Sequence, residues 1–425
     1  MDAVLAELSM MAKKEAKRHN NNNNCGDDDD KKMIPLPSIY FGGGTPSLAP
    51  VESLRAILHH ACRKNDADND SPFAIIHSQE EEDTEITIEM DPGTFDRPKL
   101  QALKDQVGIN RISLGVQSLD DSILESMGRV HRRCDIEQAV QDIAAVFGSS
   151  DDDDDGGDRI NYSIDLISGA PGLTLAKWVD TLQQVTSTCD DKSIFGPTGP
   201  PKHISIYDLQ IESGTVFEKW YRSKNEDMDM IQSSAKAKAG NNDNGTLLRL
   251  PSEEECAFMY KFAAGYLRAK GYEHYEVSSY AKRATAASTS PSPWRSRHNQ
   301  IYWDYSSSWY SLGLGATSFV NRTLVARPRK MDDYIEWVSR HEQKSNGGGD
   351  NDSCDNVATE NESEFLPDLI LKRLRTCDGL DLKWLNSHYG SEVVEGVIEG
   401  ATLGLELGLA ERTESDILKL KDPEG

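Results

Sequence analysis

At 425 residues the chain has room for one large domain and a smaller one, and it can bury a sizeable core. Its formal net charge of −25 argues against a nucleic-acid footprint, which needs a basic face, and no apolar run approaches the ~18 residues of a membrane-spanning helix. The seven cysteines are odd in number, widely scattered and in no C-x-x-C pattern, which argues for a reducing compartment and against a disulfide framework.

Residues 1–18 read as an amphipathic helix with an apolar stripe of Val4, Leu5, Leu8 and Ala12. Asp2, Glu7 and Glu15 make it neither a signal peptide nor an acid-poor transit peptide. His19 to Lys32 is low complexity, with an Asn run and then Asp27–Asp30. Together with Asp151–Asp155 these acidic runs carry much of the net charge and read as loop insertions. The stretch around which the chain is organised follows: Ser38-Ile39-Tyr40-Phe41 predicts a strand, Gly42-Gly43-Gly44-Thr45-Pro46 a turn, and Val51 the start of a helix. Glycines there let the backbone take positive φ and come close to a ligand, and the freed N–H groups face an anionic group. From this point strands and helices alternate. Strands are expected at Ser38–Phe41, Ile86–Met90, Arg111–Val116, Ile160–Ile167 and His203–Leu209, with helices starting near Val51, Pro98, Leu119, Arg133 and Leu175. Such alternation implies parallel strands with crossover helices, in a barrel or partial barrel whose ligands bind at the C-terminal strand ends. Polar residues sit at those ends: Gly42–Thr45, Glu89, Gln117, Asp165, and Tyr207 with Asp208. Singly each is an ordinary cap or strand end; together they would ring one cavity.

Residues 187–202 and 222–246 read as polar insertions. A helix then starts at a capping box of Ser252 and Glu255, with Cys256, Met259, Tyr260, Ala263 and Leu267 on its apolar face and Gly271 closing it. His298-Asn299-Gln300-Ile301-Tyr302-Trp303 is read as a strand segment, and Gly313-Leu314-Gly315-Ala316 follows. The organisation expected is a barrel core over 1–225, an extension over 226–343, a linker over 344–363 and a small helical module over 364–425. No internal repeat is apparent.

Several of these motifs coincide in order: Gly42-Gly43-Gly44-Thr45-Pro46, Glu89-Met90-Asp91-Pro92, Asn110 to Ser118, Arg129, Ser163-Ile164-Asp165-Leu166-Ile167, and His298-Asn299-x-x-Tyr302-Trp303. Together they resemble the radical S-adenosylmethionine (SAM) family that contains oxygen-independent coproporphyrinogen III oxidase and the HemW-type heme chaperones. The resemblance implies an α/β fold, a partial (β/α) radical SAM barrel lacking the first strand, followed by a C-terminal helical module like that of HemN. It implies three cofactors: SAM, a [4Fe–4S] cluster and heme. Gly43, Gly44 and Thr45 would hold the methionine end of SAM. Glu89 would accept from its ammonium, Arg129 would pair with its carboxylate, and Gln117 and Asp165 would bond its ribose. An acid for the ammonium and an arginine for the carboxylate is the pairing a bound amino acid demands.

One departure from the family is plain. Its members ligate the cluster with a C-x-x-x-C-x-x-C loop ahead of a helix that Met1–Arg18 resembles, and this chain has no such loop. The expectation is therefore of a chain that starts just downstream of the loop, so no metal ligands are assigned. The His298-Asn299-x-x-Tyr302-Trp303 segment resembles the heme-chaperone branch, which implies that His298, Tyr302 and Trp303 contact heme. The function expected is a chaperone that binds heme and passes it to an acceptor protein, in the cytoplasm or an organelle matrix. The alternative is the oxidase, which decarboxylates coproporphyrinogen III with a SAM-derived radical. A third class is a SAM- or nucleotide-binding module without redox chemistry. Oligomeric state is not legible.

Overall fold

The computed structural model describes residues 1–22, 33–62, 71–76, 83–148, 161–188, 194–195, 199–221, 248–285, 288, 290–304, 307–320, 323–346 and 362–422. The acidic runs and most of the expected insertions and linker lie outside the described residues.

The centre is a seven-stranded sheet. Its strands are β1 (Ser38–Phe41), β2 (Glu85–Met90), β3 (Arg111–Gln117), β4 (Tyr162–Ser168), β5 (His203–Asp208), β6 (Tyr272–Glu276) and β7 (Ser279–Lys282), in the spatial order β1-β2-β3-β4-β5-β7-β6. Strands β1 to β5 are parallel, and the hairpin β6–β7 adds to β5 antiparallel. The expected strands and their crossovers are thus present, with ends within a residue or two of the expectation.

Side chains alternate across a strand, and here the two faces differ sharply. Ile86, Ile88, Met90, Ile112, Leu114, Val116, Ile164, Leu166, Ile204 and Ile206 form one buried apolar core with the crossover helices. Those helices are α2 (Val51–Ala61), α3 (Arg97–Ala102), α4 (Asp121–Ser126), α5 (Arg133–Phe147) and α6 (Leu175–Thr186). The starts of α3, α4 and α6 are fixed by caps: Asp96 accepts from the Lys99 amide, Asp120 from Ser122 and Ile123, and Thr174 from Lys177. Helix α7 (Glu253–Ala269) opens on the expected capping box of Ser252 and Glu255. Along the other face run Ser38, Tyr40, Glu85, Thr87, Glu89, Arg111, Ser113, Ser163, Asp165, His203 and Ser205, which the strand register sets side by side.

Three expectations are corrected. The His298 segment is a helix, α8 (Arg297–Asp304), rather than a strand. The carboxylate of Glu85 accepts the backbone N–H of Arg297 and of His298, at 3.2 Å each, and so satisfies the first turn. The 187–202 stretch is not wholly polar surface, since Phe195 is buried in the main core beside Tyr162. The C-terminal module is not purely helical. Besides α10 (Glu362–Leu374), α11 (Leu382–Tyr389) and α12 (Ser391–Glu406) it holds a three-stranded antiparallel sheet of Leu380–Asp381, Ile417–Leu420 and Ala410–Arg412. It docks on β6 through backbone bonds from Val277 to Arg375 and from Cys377 to Tyr275, and through the Arg295–Asp378 ion pair.

The first helix, α1 (Asp2–Asn22), buries Leu8 and Ala12 as its stripe implies. It also buries Glu7. That carboxylate pairs with Arg327 at 2.7 Å and accepts from Tyr334 Oη at 2.7 Å and the Gly313 amide at 3.0 Å, which ties the helix to the segment around Gly313–Gly315 and to α9 (Met331–Asn346).

Candidate functional site

The polar face of the sheet opens at the C-terminal end of β1, where the chain turns through Gly43 (φ 82°) and Gly44 (φ 71°). A side chain there would be strained by its backbone conformation, yet nothing lies within 4 Å of an added Cβ at either position. The turn therefore opens onto unfilled space. Beside it stands Glu89. Its Oε2 accepts the Gly43 amide at 3.1 Å, and its Oε1 accepts the Tyr40 hydroxyl at 2.7 Å. Burial, with the Glu89 carboxylate adding to it, pushes the Tyr40 phenol far above its usual value, so it stays protonated and donates. Thr45 Oγ1 donates to Asp91 Oδ2 at 3.1 Å, so Glu89 and Asp91, at the end of β2, brace both halves of the glycine turn.

Gln117 ends β3 with φ 64°, where the register against β4 shifts between Leu114 and Gln117. Gly115 makes room for that geometry: a Cβ there would stand 2.7 Å from Asp91 Oδ1 and 3.2 Å from Gln117 Nε2. Asp165 accepts from Ser113 Oγ at 3.2 Å. Burial raises its carboxyl to about 6, against the pull of the Ser205 and Ser113 hydroxyls and of Arg111. Arg129 lines a cavity of about 330 Å³ together with Met127, Ile167, Leu209, Gln210, Glu212, Thr215 and Phe217, beyond the C-terminal ends of β4 and β5. The glycine turn, Glu89, Gln117 and Asp165 thus share one rim, and Arg129 lines the cavity beyond β4 and β5.

The His298 helix lies under this rim, against β1. The His298 ring stacks on Tyr40 with centroids 4.3 Å apart and planes 15° apart, and its Nδ1 is 3.4 Å from Ser38 Oγ. Burial, and secondarily Arg111, lowers its imidazole to about 4. Tyr302 meets His298 edge-on at 5.0 Å and packs on Trp309 at 4.7 Å. Trp303 lies under the Arg375 guanidinium at 5.1 Å, and among the described residues its indole Nε1 has no hydrogen-bond partner.

Sequence reading missed Tyr40, Asp91, Ser113 and Arg111. The signal for Tyr40 was period-2 alternation, which puts it on the same face as Gly42, next to Thr87 in the register. The rim fits the methionine end of SAM: backbone amides, a carboxylate and open space meet at one turn. The cluster is another matter. Among the described residues no three His, Cys, Asp or Glu side chains are grouped to hold a metal. The described cysteines Cys62, Cys134, Cys256 and Cys377 sit in separate elements, so the described residues do not fit an iron–sulfur cluster.

A parallel sheet with crossover helices and a glycine turn at the first strand end defines a class. Residues 29–185 match the model of the Radical SAM superfamily, and the chain belongs to that superfamily through the domain they form. Within it, the chain is 36% identical over 306 residues to Heme chaperone HemW of Synechocystis sp., covering 72% of this chain and 57% of that protein. It is 29% identical over 266 residues to Radical S-adenosyl methionine domain-containing protein 1, mitochondrial, of Bos taurus, covering 63% of this chain and 45% of that one. The chain thus spans about half the length of these relatives. The solved coproporphyrinogen III oxidase (HemN) from Escherichia coli, described as a radical SAM enzyme, superposes with a TM-score of 0.63 over 100% of this chain and 79% of that one. At 15% identity that likeness shows the fold alone.

Proposed function

We propose that the chain is a heme chaperone of the radical SAM superfamily, which binds SAM at the barrel rim and passes heme to an acceptor protein in a reducing compartment. The carrying observation for SAM is Glu89, held by Tyr40 and by the glycine-turn amide at the mouth of open space. Gly43, Gly44 and Thr45 would take the methionine end, Glu89 its ammonium and Arg129 its carboxylate, with Gln117 and Asp165 on the ribose. In this superfamily bound SAM supplies a 5′-deoxyadenosyl radical when a cluster reduces it; the residues of this chain bind and orient SAM.

Heme is the finer part of the reading and rests on the likeness to the Synechocystis heme chaperone. Of the residues that resemblance assigns to heme, His298 is covered by Tyr40, Tyr302 packs on Trp309, and Trp303 lies under Arg375. A heme that reached His298 would displace the Tyr40 stack. Spectroscopic titration of the full chain with heme, beside His298→Ala and Trp303→Ala, tests this. A shifted heme band in the parent that weakens in either folded variant supports the reading. Identical titrations move heme away from this helix, and no shift in the parent removes heme binding altogether.

A further inference from the structure

Tyr40 is assigned to no ligand, and His298 is assigned to a ligand other than SAM. Yet the two form one unit with Glu89. The Tyr40 hydroxyl bonds one carboxylate oxygen of Glu89, while the Gly43 amide bonds the other. The face of the Tyr40 ring rests on His298. His298 is itself fixed from three sides: Ser38 Oγ at Nδ1, Tyr302 at the ring edge, and Glu85, which caps the backbone of its helix. A glutamate side chain has three rotatable bonds, and a free one would sample several orientations. Here both oxygens are tied, one to the backbone turn and one to a phenol whose ring is clamped. Each carboxylate oxygen keeps a further lone pair for an incoming donor.

We propose that Tyr40 is a positioning residue that aims the Glu89 carboxylate at the amino group of SAM, with the His298 ring as its support. The proposal rests on the SAM site described above. Ammonium recognition thereby becomes dependent on helix α8, although α8 contributes no atom to the rim. Tyr302 continues the chain of contacts to Trp309, which packs in one cluster with Phe319 of the preceding extension and with Leu369 of the C-terminal module. The amino-group end of the SAM site is thus coupled by packed rings to the module that follows the barrel.

The test separates aiming from general support by comparing two ligands: SAM and its deaminated analogue, which keeps sulfonium, carboxylate and adenosine but lacks the amino group. Calorimetric titrations use the full chain, Tyr40→Phe and His298→Ala. Tyr40→Phe keeps the ring and the stack and removes only the O–H, so it should weaken SAM about tenfold or more and leave the analogue unchanged. His298→Ala should act in the same direction by less. Tyr40→Phe should add little to Glu89→Gln, because both act through one carboxylate. Equal loss for both ligands would make Tyr40 a packing residue and overturn the proposal, as would unchanged SAM affinity in folded Tyr40→Phe. If the parent binds no SAM, the site reading fails first and this inference falls with it; if the parent binds and discriminates but Tyr40→Phe does so equally well, only this inference falls.

Discussion

The two faces of the central sheet share every backbone hydrogen bond and have opposite chemistry. On the helix side, Ile88 and Leu114 are fully buried in an apolar core. On the other side, one residue away along the same strands, stand Glu89 and Ser113. The helix side obtains its stability from area removed from water, which is non-directional and tolerant of detail. The polar side must satisfy donors and acceptors one by one, and among the described residues it does so incompletely: Thr87 Oγ1 and His203 Nδ1 are buried without a hydrogen-bond partner, and Arg111 Nε reaches Glu85 only at 3.8 Å. Buried unpaired polar atoms cost stability, so this face contributes less to stability than the helix side does.

The largest effect should fall on the helix side. Leu114→Ala removes a fully buried side chain from the core and should destabilise by about 2–5 kcal/mol. Chemical denaturation would measure it, and SAM affinity in the remaining folded protein should be near that of the parent. Glu89→Gln should do the reverse. Losing a charge-assisted partner should weaken SAM by roughly 1.5–3 kcal/mol, with little change in melting temperature. Arg129→Ala should weaken SAM by a similar amount if the cavity it lines takes the carboxylate. Calorimetry on both variants decides. A Glu89→Gln protein that melts far below the parent would show that the polar face carries the fold after all.

These differences also explain how much could be read beforehand. Apolar patterning marks strands and helix starts locally, so Ser38–Phe41 and the starts at Val51, Arg133 and Leu175 were legible in the sequence. The rim residues were legible only where a motif singled them out. Tyr40 stands in the strand that leads into the glycine turn, where its sequence context assigns it no role; its meaning arises from partners 49 and 258 residues away, Glu89 and His298. The short His298 segment carries aromatics that suit strand or helix, and what fixes it as a helix is the Glu85 carboxylate from β2. The strands of the C-terminal module run two to four residues each, too short for a periodic signal.

Two titrating groups on the polar face sharpen the contrast, because their pKa shifts have opposite signs for stability. His298 is lowered to about 4 from 6.5. The unfolded chain takes up its proton first, so stability present above pH 6.5 is lost as the pH falls toward 4. In His298→Gln that loss is absent. Melting temperature should therefore fall less steeply between pH 6.5 and 4 in the variant than in the parent, even if the variant starts lower for want of the Tyr40 stack. Thermal melts across this range check it, and parallel slopes would mean that the ring is protonated in place.

Asp165 should give the smallest effect and the opposite sign. Its carboxyl is raised to about 6 from 3.8, with burial as the first cause and the Ser205 and Ser113 hydroxyls holding it back. The folded state thus holds the proton more tightly than the unfolded chain. The stability this contributes is fully present below pH 3.8 and is lost as the pH rises through 6. Asparagine has nearly the shape of the protonated acid and cannot ionise, so Asp165→Asn escapes that loss. Relative to the parent, the variant should melt alike near pH 4 and gain progressively up to pH 7. The gain should stay modest, because the serine hydroxyls that bond the charged form already offset part of the burial cost. If Asp165 also holds the ribose, the same variant should bind SAM more weakly at every pH while being the more stable protein at neutrality. A variant stabilised at pH 7 with unchanged SAM affinity would keep the electrostatic reading of this strand end and remove Asp165 from the binding site.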